Sequence, residues 1–221
     1  MGVPTKEENQ ETSVLPEFRD VRLYCFSPGG FLQDRDPIEV VAAQIRGGAD
    51  VIQLREKGLR KRDRIDLGIK LRDLTRRKGV LFIVNDDIDL ALFLDADGVH
   101  LGQGDTPIQV ARPLMKDKII GISTHSLEQI DRAVESGADY IGVGPVFDTS
   151  TKDDREEIIG LDILLQIKDT CPIPYVAIGG IGKDNISSVV KAGCHRVAVI
   201  SDIIQAPDIE EQCKALRQIL L

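Results

Sequence analysis

Gln53, Arg55 and Lys57 come directly after the apolar pair Val51-Ile52, and the same arrangement recurs along the chain. Asn85-Asp86 follows Leu81-Phe82-Ile83-Val84, and Gln103 and Asp105 follow Gly98-Val99-His100-Leu101. Ser123-Thr124-His125 follows Ile119-Ile120-Gly121-Ile122, and Gly144-Pro145 and then Thr149-Ser150-Thr151-Lys152 follow Tyr140-Ile141-Gly142-Val143. Gly179-Gly180 and Ser201 complete the series, after Tyr175-Val176-Ala177-Ile178 and Val197-Ala198-Val199-Ile200. Guanidinium and ammonium groups grip phosphate oxygens, and carboxylates hold hard dications. Gathered at one rim, such residues suit metal-assisted chemistry on phosphorylated substrates.

Each group also has a plainer reading. Alternate residues of an extended segment point the same way, so Gln53, Arg55 and Lys57 share a face suited to a diphosphate. The same charges also suit a solvated loop. Asp86 and Asp105, at the ends of neighbouring strands, make an oxygen-ligand pair for Mg2+. Taken alone, Asp86 or Asp87 reads more readily as the cap of a helix over 88–94. Thr149, Ser150, Thr151 and Lys152 offer three hydroxyls and an ammonium to a phosphate, or form a long solvent loop; a barrel often carries a lid there. Gly179-Gly180-Ile181-Gly182 and Ile200-Ser201 suit a phosphate held by backbone N–H groups and a helix start, with tight turns as the alternative. Among the histidines, His125 is at a rim position within reach of a substrate. His100 is expected to face a neighbour from within its strand, and His195 to lie at the opposite strand end, away from chemistry.

Apolar runs alternating with amphipathic ones must position these residues. Strands are expected over 22–26, 49–54, 80–84, 97–101, 118–122, 139–143, 174–178 and 196–200. Runs of Val, Ile and Leu without polar alternation mark strands buried on both faces. Helices are expected over 37–46, 61–77, 126–136, 161–169, 184–192 and 209–220, and another starts at Pro107 with Thr106 as its cap. Asp36 and Pro37 supply a cap and a first-turn proline. Gly47-Gly48, Gly137 and Gly193 suit the residue just past a helix end. Gly48-Ala49-Asp50 and Gly137-Ala138-Asp139 repeat one strand–helix unit. Strict alternation predicts an α/β fold, a closed (β/α)8 TIM barrel, as one domain over 21–221. Residues 1–20, polar from Lys6 to Glu11, are expected to form an arm outside the core.

The bulk numbers agree with one such domain: 221 residues, 42% of them hydrophobic. A net charge of −8 argues against nucleic acid as a partner. Anionic small molecules stay compatible, because local cations outweigh distant charge. No apolar run approaches the roughly 20 residues of a membrane span, and the start lacks an apolar signal run. The expectation is a cytoplasmic protein with no membrane partner. Cys25, Cys171, Cys194 and Cys213 lack C-x-x-C spacing and are expected to be reduced thiols. A homo-oligomer stays open.

In order and together, these motifs resemble the thiamine-phosphate synthase family over about 22–221. The resemblance is carried by Gln53-Leu54-Arg55-Glu56-Lys57, Asn85-Asp86, Gly98-Val99-His100-Leu101-Gly102-Gln103 with Asp105, and Gly121-Ile122-Ser123-Thr124-His125. Gly142-Val143-Gly144-Pro145-Val146-Phe147, Thr149-Ser150-Thr151-Lys152 and Ala177-Ile178-Gly179-Gly180 complete it. It implies a transferase that joins an aminopyrimidine diphosphate to a thiazole phosphate, by dissociative loss of diphosphate through a pyrimidinylmethyl cation. It implies that Gln53, Leu54, Arg55, Glu56, Lys57, Asn85, Ser123 and Lys152 bind the pyrimidine diphosphate. Of these, Arg55, Lys57, Ser123 and Lys152 would be catalytic. Thr149, Ser150, Thr151, Gly180, Ile200 and Ser201 would bind the thiazole phosphate, and Asp86 and Asp105 the cofactor Mg2+.

Four places depart from the family's usual pattern: Gly104, where an acid is common; Asp87, where Arg is; Asp202, where a small residue is; and Cys194-His195-Arg196. The rivals are a thiazole tautomerase of the same superfamily, a sugar-phosphate isomerase or epimerase barrel, and a non-catalytic barrel that binds a thiazole phosphate. The tautomerase branch tends to lose the metal carboxylates and the Gly-Pro of the sixth loop; Asp86, Asp105, Gly144-Pro145 and Lys152 are all present here and favour the synthase.

Overall fold

The computed structural model describes residues 17–32, 35–149 and 157–221. Residues 1–16 of the expected arm, and Ser150, Thr151 and Lys152 of the expected loop, lie outside the described residues. Eight parallel strands close in sequence order into a barrel. They are β1 Leu23–Phe26, β2 Val51–Leu54, β3 Leu81–Asn85, β4 Gly98–Leu101, β5 Ile119–Thr124, β6 Tyr140–Val143, β7 Tyr175–Ile178 and β8 Val197–Ala198. The helices are α1 Pro37–Arg46, α2 Lys61–Lys78, α3 Ile88–Phe93, α4 Ile108–Met115, α5 Leu127–Glu135, α6 Asp162–Ile167, α7 Ile186–Lys191, α8 Ser201–Ile204 and α9 Ile209–Leu220. None of them is long and apolar enough to cross a membrane. The (β/α)8 expectation holds.

Strand residues alternate between two cores, which is why the strands read as continuous apolar runs. Leu23, Cys25, Ile52, Leu54, Phe82, Val84, Val99 and Leu101 pack outward beneath the helices. Tyr24, Phe26, Val51, Leu81, Ile83, Tyr140, Val176 and Ala198 fill the barrel interior. Each such side chain, fully buried, contributes roughly 1.5–3 kcal/mol.

Local signals set the helix starts. Asp36, Asp87, Ser126 and Asp208 each accept a hydrogen bond from a first-turn backbone N–H, at 2.7, 2.9, 3.2 and 3.0 Å. The expected cap at Thr106 does not form. Pro107 is the capping residue of α4, with no side-chain bond, so the helix begins one residue later. The short α8 begins at Ser201, where a helix start was expected, although no range was: four residues are too few to show a helical period.

The repeated Ala-Asp before a strand has a structural purpose. Asp50 accepts from the N–H groups of Arg22 and Leu23 at 2.8 and 3.0 Å, and pairs with Arg217 of α9 at 2.6 Å. Asp97 accepts from Phe82 N–H at 2.8 Å and receives both Arg72 nitrogens at 2.8 Å. Asp139 accepts from Ile120 N–H at 2.7 Å and pairs with Arg112 of α4 at 2.6 Å. Each carboxylate thus ties the start of one strand to the strand before it and to an outer helix. The fourth such position holds His195, which is exposed at the start of β8 and remote from the rim.

The arm needs one correction at its inner end. Phe18 is buried and stacks on Tyr140, with ring centroids 3.8 Å apart. An apolar ring lowers its free energy by closing the bottom of the barrel, so the core begins before residue 21. Arg196 holds this segment through the Arg19 carbonyl at 2.6 Å.

Candidate functional site

Inward-facing positions at the top of the strands carry polar side chains. Gln53 on β2, Asn85 on β3, His100 on β4 and Ser123 on β5 share the inward parity and line one cavity with Arg55, Tyr24 and Tyr140. The register places Asn85 beside His100. Arg55 also lines an adjoining cavity with Lys57, Ser27, Gly29 and Gly30. A Ser27 hydroxyl accepts from Arg55 N–H at 2.9 Å and so fixes the chain where it leaves β2. The expected common face of Gln53, Arg55 and Lys57 ends with the strand at Leu54, yet both cations still face the same rim.

Two members of that segment do not present side chains to a substrate. Leu54 is buried in the outer core. Glu56 is buried and accepts from Gly29 N–H at 3.0 Å, which ties the β1 and β2 loops together. Only their backbones are left for binding.

Asp87, not Asp86, caps α3, and Arg64 pairs with its carboxylate at 2.8 Å. Asp87 thereby has a structural partner, and Asp86 is free of the capping role. Asp86 adopts φ = 62°, the left-handed region that a non-glycine residue rarely enters. Its carboxyl is pushed up to about 6, first by burial and then by the neighbouring Asp105 carboxyl, against the pull of Lys57 and Arg55. Asp105 accepts from Gly102 N–H at 2.7 Å, which orients it. Two carboxyls held in contact, with the charge of one disfavouring ionisation of Asp86, fit a site completed by a dication. Among the described residues no third His, Cys, Asp or Glu joins them. That donor set suits Mg2+, which takes one or two carboxylates and completes its shell with water and substrate phosphate.

A second cavity of about 280 Å³ adjoins the first. Thr149, Gly180, Ile200 and Ser201 line it, together with His125. Ser123, Gly142, Ile178, Ala198 and Ile200 belong to both cavities, so the two share a wall. His125 is fixed at the rim: its Nδ1 meets the Gly144 carbonyl, and its backbone N–H donates to Gln129 Oε1 at 2.7 Å. Gly179 and Gly180 have φ of 102° and 59°. A methyl on Gly179 would lie 2.5 Å from Pro145, and one on Gly180 2.3 Å from the Asp148 carbonyl. The β6 loop fills the space of their missing side chains, so a larger residue at either position would displace that loop from the cavity that both glycines line. Asp202 accepts from Lys183 N–H at 3.2 Å and from the Gln212 amide at 2.6 Å, joining the β7 loop to α8 and α9.

Three polar residues of this cavity were not among the expected site residues: Tyr24, Tyr140 and His100, the last facing its neighbours Tyr140 and Ser123 from within its strand as expected. The signal was parity. His100 is two residues beyond the start of β4 and aligned with Asn85, so it shares the inward face.

The thiamine monophosphate synthase family model matches residues 23–203. The chain belongs to that family. It is 46% identical over 201 residues to the thiamine-phosphate synthase of Chloroflexus aurantiacus, covering 91% of this chain and 93% of the relative. It is 48% identical over 199 residues to that of Pelotomaculum thermopropionicum, covering 90% and 91%. Its fold matches the thiamine phosphate pyrophosphorylase of Pyrococcus furiosus with a TM-score of 0.83 at 41% identity, over 91% of this chain and 96% of that one. A 3-hexulose-6-phosphate synthase matches at 19% identity and a TM-score of 0.66, which shows a shared barrel only. As a thiamine-phosphate synthase family member, the chain is a transferase that acts on small molecules.

Proposed function

We propose that the chain joins an aminopyrimidine diphosphate to a thiazole phosphate, with release of diphosphate. The observation that carries this is the pair of cavities sharing a wall. One is beside Arg55, Lys57 and the Asp86–Asp105 pair, the other beside Thr149, Gly180 and Ser201. Gln53, Asn85 and Ser123 hold the pyrimidine ring. Arg55 and Lys57, with Lys152, hold the diphosphate. The bond between the methylene carbon and the diphosphate oxygen breaks, the electron pair leaves with the oxygen, and the ring nitrogen of the thiazole attacks the carbon. Charge grows on the leaving group, so these cations stabilise the transition state more than the ground state. Mg2+, held by Asp86 and Asp105, supplies further neutralisation of the diphosphate when bound. The shared wall at Ser123 brings the two reacting atoms into one space, which raises their effective concentration. Thr149, Ser150, Thr151, Gly180, Ile200 and Ser201 keep the thiazole phosphate in the second cavity. Four free thiols fit a reducing, cytoplasmic setting.

The test is diphosphate release from the two substrates with and without Mg2+. The expected outcome is release that requires both substrates and the metal, with Lys152→Ala lowering kcat by about tenfold or more and changing the thiazole phosphate KM less. Ligand binding with no diphosphate release would establish a binding barrel instead.

A further inference from the structure

We propose that Tyr140 and His100 are positioning residues: they fix the direction of a buried hydrogen-bond relay and so present the Ser123 hydroxyl as a donor to the pyrimidine ring. This rests on the pyrimidine reading above.

The relay starts and ends in the same cavity. The Gln53 side-chain amide donates to the Tyr24 hydroxyl at 2.7 Å. Tyr24 and Tyr140 hydroxyls are 3.0 Å apart. The Tyr140 hydroxyl is 2.8 Å from His100 Nδ1, and His100 Nε2 is 2.9 Å from Ser123 Oγ. Both phenols are buried, and burial pushes both toward the protonated form, so each keeps a hydrogen to donate.

One direction follows from the donor inventory. Gln53 spends an N–H on Tyr24, so the Tyr24 hydroxyl passes its own hydrogen to Tyr140. Tyr140 then donates to His100 Nδ1. An accepting Nδ1 places the neutral ring's hydrogen on Nε2, which donates to Ser123. The Ser123 hydroxyl, accepting there, directs its hydrogen elsewhere in the cavity that it lines. The Gln53 carbonyl oxygen stays an acceptor. An aminopyrimidine is the complement: a ring nitrogen accepts from Ser123 and the exocyclic amine donates to Gln53. With the opposite histidine tautomer, Ser123 would donate to His100 and offer the ring no hydrogen.

Two strand glycines make room for the relay. A methyl on Gly121 would lie 2.1 Å from the Tyr140 ring, and one on Gly142 3.3 Å from the His100 ring. Phe18 supports Tyr140 from below through its stacked ring.

Nitrogen-15 imidazole NMR at neutral pH, with the His100 signal assigned by its loss in His100→Gln, tests the direction. The expected result is hydrogen on Nε2. A hydrogen on Nδ1, or on both nitrogens, overturns the proposal whatever the activity. Tyr140→Phe then removes one hydroxyl and keeps the stacked ring. It should mix the His100 tautomers and raise the KM for the pyrimidine diphosphate about tenfold, the cost of one substrate hydrogen bond. The thiazole phosphate KM should stay as it was. A pyrimidine KM within about twofold of the parent's, with the tautomer changed, overturns the proposal too. If Tyr140→Phe does not fold, Tyr24→Phe interrupts the same relay one link earlier and carries the same expectations. A parent chain that releases no diphosphate overturns the reaction and the substrate half of this proposal, while the NMR result still decides the relay.

Discussion

Asp86 shows how the same residue type takes different work from its surroundings. Asp87 next to it has a helix to cap and an arginine to pair with, whereas Asp86 faces Asp105. Its carboxyl, raised to about 6, holds its proton more tightly in the folded chain than in the unfolded one. That contribution to stability is full below the unfolded value of about 4 and is lost as pH rises through about 6. Asp86→Asn removes the ionisation and keeps a residue type that tolerates positive φ. The metal-free variant should therefore melt higher than the parent at pH 8, with the difference vanishing near pH 4. Melting curves in chelator across that range check it, and an equal or lower midpoint at pH 8 refutes it. Excess Mg2+ with diphosphate should reverse the order, because only the parent keeps both carboxylates. The sequence showed these two aspartates as adjacent candidates for one cap; only the backbone turn at Asp86 decides between them. His100 was equally readable by parity, but a lone imidazole in an apolar run carries no sign of what it meets.

Elements were legible where periodicity or caps spoke and illegible where they were short. α1 and α9 lie where Asp36-Pro37 and the apolar spacing of 209–220 put them. β8 keeps two residues of a longer apolar run, and α8 has four. Neither is long enough for a period to distinguish strand, turn and helix. The Ala-Asp repeats were visible as a pattern, but their use was not, because the arginines that complete them are far away in sequence. Arg72 and Asp97 are the most enclosed of these pairs, both side chains 11% exposed. Removing the cation leaves a carboxylate that still holds Phe82 N–H but has lost its charge partner. Arg72→Ala should destabilise the fold by about 3–5 kcal/mol, measured by chemical denaturation. The rim should be spared, since the pair sits at the opposite end of the strands, so kcat at moderate temperature should stay near the parent's. A loss under about 1 kcal/mol would show that water replaces the arginine at little cost.

At the scale of the whole molecule, the barrel is closed by unequal joints. β2 and β3 align over four residue pairs, while β8 meets β1 over two and β7 over two. A ring with one short strand, joined over two pairs on either side, behaves as a latch, and the latch here has a pin: Phe18 lies against Tyr140 at the base, and Arg196 grips the Arg19 carbonyl beside it. The first opening of the native state should be there, not spread around the ring. The amides of Val197 and Val199, bonded to the carbonyls of Arg22 and Tyr24, should exchange with deuterium sooner than those of Leu81 and Ile119. Phe18→Ala should speed the first pair about a hundredfold, the equivalent of about 3 kcal/mol of lost packing. Uniform protection of all four amides in the parent would refute this. The last residues of the arm thus set how often the ring comes apart, and a chain cut back past Phe18 would keep every residue of its reaction site while losing the clasp that holds them in register.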